Sequence, residues 1–256
     1  MKRSTWICAA IGFAALAGVA RQASAACSFG SSGEPSLQQS FDTLFGSANA
    51  PDAVNDCLAD GVGPNHDGVW QSTGASSATI LLELAGFADF NFFGLYDPAN
   101  PANRLDVFAG RLGPGATASL TFTNVAGGTQ VTMSIVGSPA PARSAVFLSE
   151  AFGFFLTTPE GNTFFTQSSL NQGGVDRSYA YRGAGQWFQR GGALGTQFGV
   201  DDAILAYEDL LHGDNDFQDF VVLVRGIEPI PLPAAALLFL SGLIGLRARG
   251  ERRKAV

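Results

Sequence analysis

From Ala78 to Arg225 the chain is a succession of short β-favouring runs, each closed off by Gly, Pro, Asn or Asp, with no helical periodicity between them. The runs are Ala78–Leu84, Asp89–Tyr96, Arg104–Phe108, Ser119–Asn124, Gln130–Val136, Val146–Thr157, Thr163–Thr166, Ala203–Glu208 and Phe220–Arg225. Parallel strands need a long crossover, usually a helix, so this order argues against a parallel α/β fold. Many short strands with regular turn signals predict an all-β fold, a jelly-roll-like β-sandwich. Phe152–Thr157 and Thr163–Thr166, flanking Pro159-Glu160-Gly161-Asn162, read as a hairpin about a tight turn. Helical periodicity appears near the start, where Leu37, Phe41, Leu44 and Phe45 share one face of a short helix over Ser36–Phe45. The 21 Phe residues are read as sandwich core rather than as a ligand box.

Both ends depart from this pattern. Met1-Lys2-Arg3 precedes an apolar run from Trp6 to Ala20 and an Ala23-Ser24-Ala25 site. A basic start, a short apolar stretch and an Ala-x-Ala site make residues 1–25 a secretory signal peptide cut after Ala25. The alternative is an uncleaved anchor, although the run falls short of the ~20 residues a spanning helix needs. At the other end, Ile230-Pro231-Leu232-Pro233 leads into an apolar stretch, Ala234–Leu246, and a basic cluster, Arg247–Lys254. Basic residues stay on the cytoplasmic side, so the body of the chain belongs on the far side of the membrane. The apolar stretch is short for a permanent span and suits transient insertion into the inner membrane.

This three-part tail resembles the PEP-CTERM sorting signal of Gram-negative bacteria, with Leu232 where the usual motif carries Glu. The resemblance implies processing by an exosortase, a membrane transpeptidase, near Pro231, Leu232 and Pro233. It implies export to the cell surface or to an exopolysaccharide matrix. A plain C-terminal anchor is the alternative. The expected organisation is a signal peptide (1–25), a helical and disulfide segment (26–60), a β-sandwich (61–227) and a sorting tail (228–256).

Setting the two ends aside changes the charge balance. The formal net charge of −7 includes Lys2, Arg3 and Arg21 at one end, and five cations against Glu251 at the other. The body is left with seven Arg, no Lys and 21 acids, about −14. Such a body is repelled by nucleic acid and anionic lipid, which excludes nucleic-acid binding. Cys27 and Cys57, the even pair that remains after the signal peptide, read as a disulfide in an oxidising compartment.

Eight of the 21 acids fall between Asp201 and Glu228. If Ala203–Glu208 and Phe220–Val224 pair as a hairpin, the loop between them carries Asp209, Asp214, Asp216 and Asp219, with Asp209 and Asp219 at its two feet. Carboxylates crowded in this way repel, and a hard cation such as Ca²⁺, which takes six to eight oxygens, would turn repulsion into binding. The spacing is not that of an EF-hand. A solvated acidic turn is the competing reading. The segment Tyr207-Glu-Asp-Leu followed by Gly213-Asp-Asn-Asp-Phe-Gln-Asp-Phe-Val-Val resembles the ending of an uncharacterised domain of exported bacterial proteins. Phe92–Asp97 and Arg104–Gly110 fit the same pattern, while Gln218 replaces its usual Asn. The resemblance implies a surface β-sandwich and brings no established activity.

Signs of catalysis are sparse. His66 and His212 are the two histidines, and neither accompanies a recognisable nucleophile; there is no Gly-x-Ser-x-Gly, phosphate loop or Cys-x-x-Cys. The expectation is a non-enzymatic protein. Two alternatives stay open. One is a Ca²⁺-dependent carbohydrate-binding module using Trp70, Trp187 or Tyr181 to stack on sugars; the other is a glycoside hydrolase, which needs two carboxylates about 5–10 Å apart.

Overall fold

The computed structural model describes residues 27–30, 34–58, 68–83, 90–110, 112–211 and 213–230. The signal peptide with Ala25, both histidines, and the tail with Pro231, Leu232 and Pro233 lie outside the described residues. Among the described residues no helix is long and apolar enough to cross a membrane.

Among the described residues one α-helix, α1 (Leu37–Phe45), precedes fourteen strands. They are β1 (Cys57–Leu58), β2 (Val69–Glu83), β3 (Phe92–Asp97), β4 (Asn100–Ala109), β5 (Thr117–Val125), β6 (Gly128–Ile135) and β7 (Arg143–Phe147). There follow β8 (Phe152–Thr157), β9 (Thr163–Phe165), β10 (Ser178–Arg182), β11 (Gln186–Trp187), β12 (Gln197–Phe198), β13 (Asp202–Tyr207) and β14 (Phe220–Pro229). The fold is all-β with one short helix.

Twelve of the strands form one antiparallel sheet, ordered β1-β10-β13-β14-β2-β5-β6-β7, with a branch β4-β3-β8-β9 attached through β2. The branch point has a local cause. Arg225 faces Ser77 but Ile227 faces Ser72, so several β2 residues bulge opposite Gly226. Gly226 has φ +70°, and a Cβ there would collide with the Ala75 carbonyl, so the bulge requires glycine. On either side of it β2 changes partner, pairing with β8 at Val69–Trp70 and with β5 at Ser76–Thr79.

The branch folds over one face of the main sheet, and the larger core fills the space between them. Phe93, Phe154, Tyr207 and Phe220 meet at its centre, with ring centroids 5.5–6.1 Å from Phe93. The second core lies on the opposite face of the main sheet, beneath α1. Strand alternation links the two: Ala203, Leu205 and Tyr207 face the first core, while Ile204 and Ala206 face the second. Strands buried on both faces read as unbroken apolar runs, which is why β13 and β14 were visible in the sequence.

Helix α1 matches its expected bounds for clear reasons. Ser36 caps it, accepting from the Gln39 N–H at 3.3 Å, and Gln39 Oε1 accepts from the Ser36 N–H at 2.8 Å. Its apolar face enters the second core, where Phe41 lies edge-on to Tyr181 at 4.8 Å. Cys27 and Cys57 are joined by a disulfide across a sequence separation of 30, which ties the start of the described chain to β1 at the sheet edge.

The expected single strand Val146–Thr157 is in fact two, β7 and β8. The chain breaks at Leu148–Ala151 because the buried Asp97 carboxylate takes the Leu148 N–H at 2.8 Å, away from any ladder. The expected β8–β9 hairpin is present, with Thr157 facing Thr163. Strand β10, absent from the expected runs, covers the gap between β1 and β13. The final strand runs on through Pro229, past residue 227.

Candidate metal centre

Strands β13 and β14 pair as the expected hairpin, and Tyr207 faces Phe220 at its last rung. The loop between them, 208–219, turns four of its five carboxylates inward. Glu208, Asp209, Asp216 and Asp219 are buried, at 0, 2, 4 and 8% exposure, and Asp214 reaches solvent. A solvated acidic turn therefore does not describe the loop.

Backbone and amide donors hold the acids in place. The Asp209 N–H donates to Asp219 Oδ2 at 2.9 Å, and the Leu210 N–H to Glu208 Oε1 at 3.3 Å. Asn91, just before β3, donates through Nδ2 to Asp209 Oδ2 at 3.3 Å. Gln218 donates to both oxygens of Asp216, from its backbone N–H at 3.3 Å and from Nε2 at 2.8 Å. Gly213 passes so close to the Glu208 carboxylate that a Cβ at this position would overlap Oε1.

The loop also carries backbone strain. Asn215 and Phe217 have φ of +58° and +57°. Asn tolerates this region; a bulky Phe does so only when its surroundings hold it. Phe217 is held by stacking on Tyr179 at 4.1 Å and by the edge of Phe29 at 5.9 Å. The Gly30 N–H donates to the Asn215 carbonyl, so the N-terminal segment pins the same turn.

No ion pair reaches any of the five acids among the described residues. The Asp202–Arg225 pair, at 3.2 Å, belongs to the far end of the β13–β14 hairpin. Arg177 comes near the loop but spends its guanidinium on the carbonyls of Leu210 and Leu211. Burial without a counter-charge pushes the Asp219 carboxyl up to about 9 and Glu208 up to about 7, and raises Asp209 as well. These groups interact, so they titrate as a set.

Two overlapping sets of carboxylates result: Glu208, Asp209 and Asp219, and Glu208, Asp214 and Asp216. Within each set the ligand oxygens lie within 4.8 Å of one another. An all-oxygen donor set of this density could bind a hard metal ion. All four Asp residues expected from the sequence are brought together. The member missed was Glu208, which reads as the polar end of a buried strand and turns out to belong to both sets. Asn91 was invisible to sequence reasoning because it lies 118 residues away along the chain.

The aromatic candidates separate sharply. Trp70 and Tyr181 are core residues, the first in the larger cluster and the second in the smaller, where its hydroxyl donates to the Ala53 carbonyl at 2.9 Å. Neither can stack on a sugar. Trp187 is 56% exposed, but it belongs to the β11–β12 pair, which leads into the start of β13 and so lies at the wrong end of the hairpin from the acids. Phe90 and Phe92, both exposed, stand on either side of Asn91, the residue bonded to Asp209.

Fold and site together define an all-β protein with a disulfide-tied N-terminal segment and a buried carboxylate cluster able to bind a metal ion. No family model, curated protein or solved structure matches the chain.

Proposed function

We propose that the chain is an exported, non-enzymatic β-sandwich protein, jelly-roll-like in form, stabilised by Ca²⁺ in the loop between β13 and β14. The observation that carries this reading is the five-acid cluster, four of whose members are buried, with no paired cation among the described residues. Folding buries these charges whatever the protein's task, and an ion that binds only the folded state converts the penalty into stability. Oxygen donors alone favour Ca²⁺ over softer metals, and millimolar Ca²⁺ is an extracellular condition. The Cys27–Cys57 disulfide fits an oxidising compartment. With the N-terminal signal and the PEP-CTERM-like tail, the address is the surface or exopolysaccharide matrix of a Gram-negative bacterium, reached by way of an exosortase.

The test has two parts. Thermal unfolding with chelator and with millimolar Ca²⁺ should differ by several degrees, and an unchanged midpoint rejects the cation. Mass spectrometry of the mature protein should find an N-terminus at Ala26 and a C-terminus near Pro233; an intact basic tail rejects exosortase processing.

A second reading, a Ca²⁺-dependent carbohydrate-binding module, is favoured by Phe90 and Phe92, which are exposed and flank a residue bonded to Asp209. A glycan array with and without Ca²⁺ separates the two.

A further inference from the structure

Glu208 stands in two carboxylate sets at once, an inner one with Asp209 and Asp219, buried throughout, and an outer one with Asp214 and Asp216, open to solvent at Asp214. Two oxygens on opposite sides of a Ca²⁺ ion, each at ~2.4 Å, stand about 4.8 Å apart. Each set, with its oxygens no more than 4.8 Å apart, thus fits within one coordination sphere. We infer that the loop holds two cations, one in each set, bridged by the Glu208 carboxylate; the inference rests on the cation-binding reading above.

Acidity alone would not carry this, and three unpartnered oxygens do, two of them from amides outside the carboxylate sets. Glu208 Oε2, Asn91 Oδ1 and Gln218 Oε1 are buried and have no hydrogen-bond partner. Their residues are 0, 3 and 0% exposed, so water does not satisfy them from the surface. They are distributed as two sites require. Asn91 is bonded to Asp209 of the inner set, Gln218 is bonded to Asp216 of the outer set, and Glu208 is common to both. A neutral amide oxygen is an ordinary Ca²⁺ ligand, and each set would gain one.

Charge and backbone agree. Five carboxylates, four of them buried, facing one divalent ion leave a net of three negative charges; two ions leave one. Gly213 lies against Glu208, and any side chain there would intrude on the bridging carboxylate.

The experiment is a titration of the metal-stripped full chain with Ca²⁺, followed by calorimetry and native mass spectrometry. Two Ca²⁺ per chain are expected. Asp214→Asn should keep one, and Glu208→Gln should lose both. Wild-type binding of a single ion overturns the two-ion arrangement and leaves the cation reading standing; no binding at all overturns both. If Glu208→Gln does not give a native circular dichroism spectrum, Asp214→Asn decides the matter. Two ions bound by that variant, or none, overturns the division into inner and outer sites.

Discussion

The backbone N–H of Asp209 donates to the Asp219 carboxylate at 2.9 Å, across the mouth of the β13–β14 loop. The bond fastens one foot of the loop to the other, and it sets two acids side by side where the sheet buries them both. Most of what the protein is expected to do in solution follows from that juxtaposition.

Replacing Asp219 with Asn keeps an oxygen for the Asp209 N–H and removes a carboxyl that burial keeps protonated up to about pH 9. In chelator above pH ~9, where Asp219 is ionised, the variant should be more stable than the parent by ~1–3 kcal/mol, since an unpaired buried charge is destabilising. In millimolar Ca²⁺ the order should invert, because the parent gains about 2.7 kcal/mol at a hundredfold excess over its dissociation constant and the variant gains little. Chemical denaturation in both buffers measures this, and a variant less stable in chelator would contradict it.

The metal-free protein should lose stability as pH rises. Asp219 and Glu208 are raised in the folded state to about 9 and about 7, chiefly by burial, from unfolded values of 3.8 and 4.5. Their contribution is therefore complete below pH ~4 and declines as pH passes upward through the folded-state values. In chelator the unfolding midpoint should fall between pH 5 and pH 9. Saturating Ca²⁺ should flatten or reverse that slope, since the ion binds the deprotonated acids. A chelated profile that rises over this interval would sink the assignment.

Gly213→Ala puts a methyl group where the Glu208 carboxylate lies. Calcium affinity should drop roughly 10–100-fold, the usual effect of displacing a ligand from its support. Stability in chelator should change by less than about 1 kcal/mol, because the residue lies in a loop outside both cores. Calorimetric titration beside urea denaturation separates the two effects.

Reducing the Cys27–Cys57 disulfide, or changing Cys57 to Ser, should destabilise the fold by roughly 3–4 kcal/mol on the chain-entropy account of a loop of this length. The bond ties the N-terminal segment to β1, at the sheet edge, while the acids lie on the β13–β14 loop. The number of Ca²⁺ ions bound by the folded fraction should therefore stay the same. A changed stoichiometry would show that the N-terminal segment, which reaches the loop through Gly30 and Asn215, helps to build the site.

Much of the fold was legible in the chain because it rests on local chemistry. The Ser36–Gln39 capping box and the spacing of Leu37, Phe41, Leu44 and Phe45 are enough to define α1. The apolar runs of β13 and β14 and the turn after Thr157 were equally plain. Strand β10 was missed although Ser178-Tyr-Ala-Tyr-Arg182 alternates two β-favouring Tyr, because so short a run is weak by itself; pairing with β1 and β13 makes it a strand. The break between β7 and β8 was missed because its cause, Asp97, comes from a different strand.

The site divides in the same way. By its own spacing the sequence determined that a hairpin would set Asp209 and Asp219 at the feet of an acidic loop, and by leaving two cysteines after the signal peptide it paired Cys27 with Cys57. Only the tertiary structure decided that four of the loop's acids lie inside, that Glu208 joins two sets, and that Asn91 and Gln218 bring unpartnered oxygens to them. The reason is physical. Spacing along a hairpin is fixed by local geometry, whereas burial, and with it the free energy of every charge in the loop, depends on what the rest of the chain packs against it.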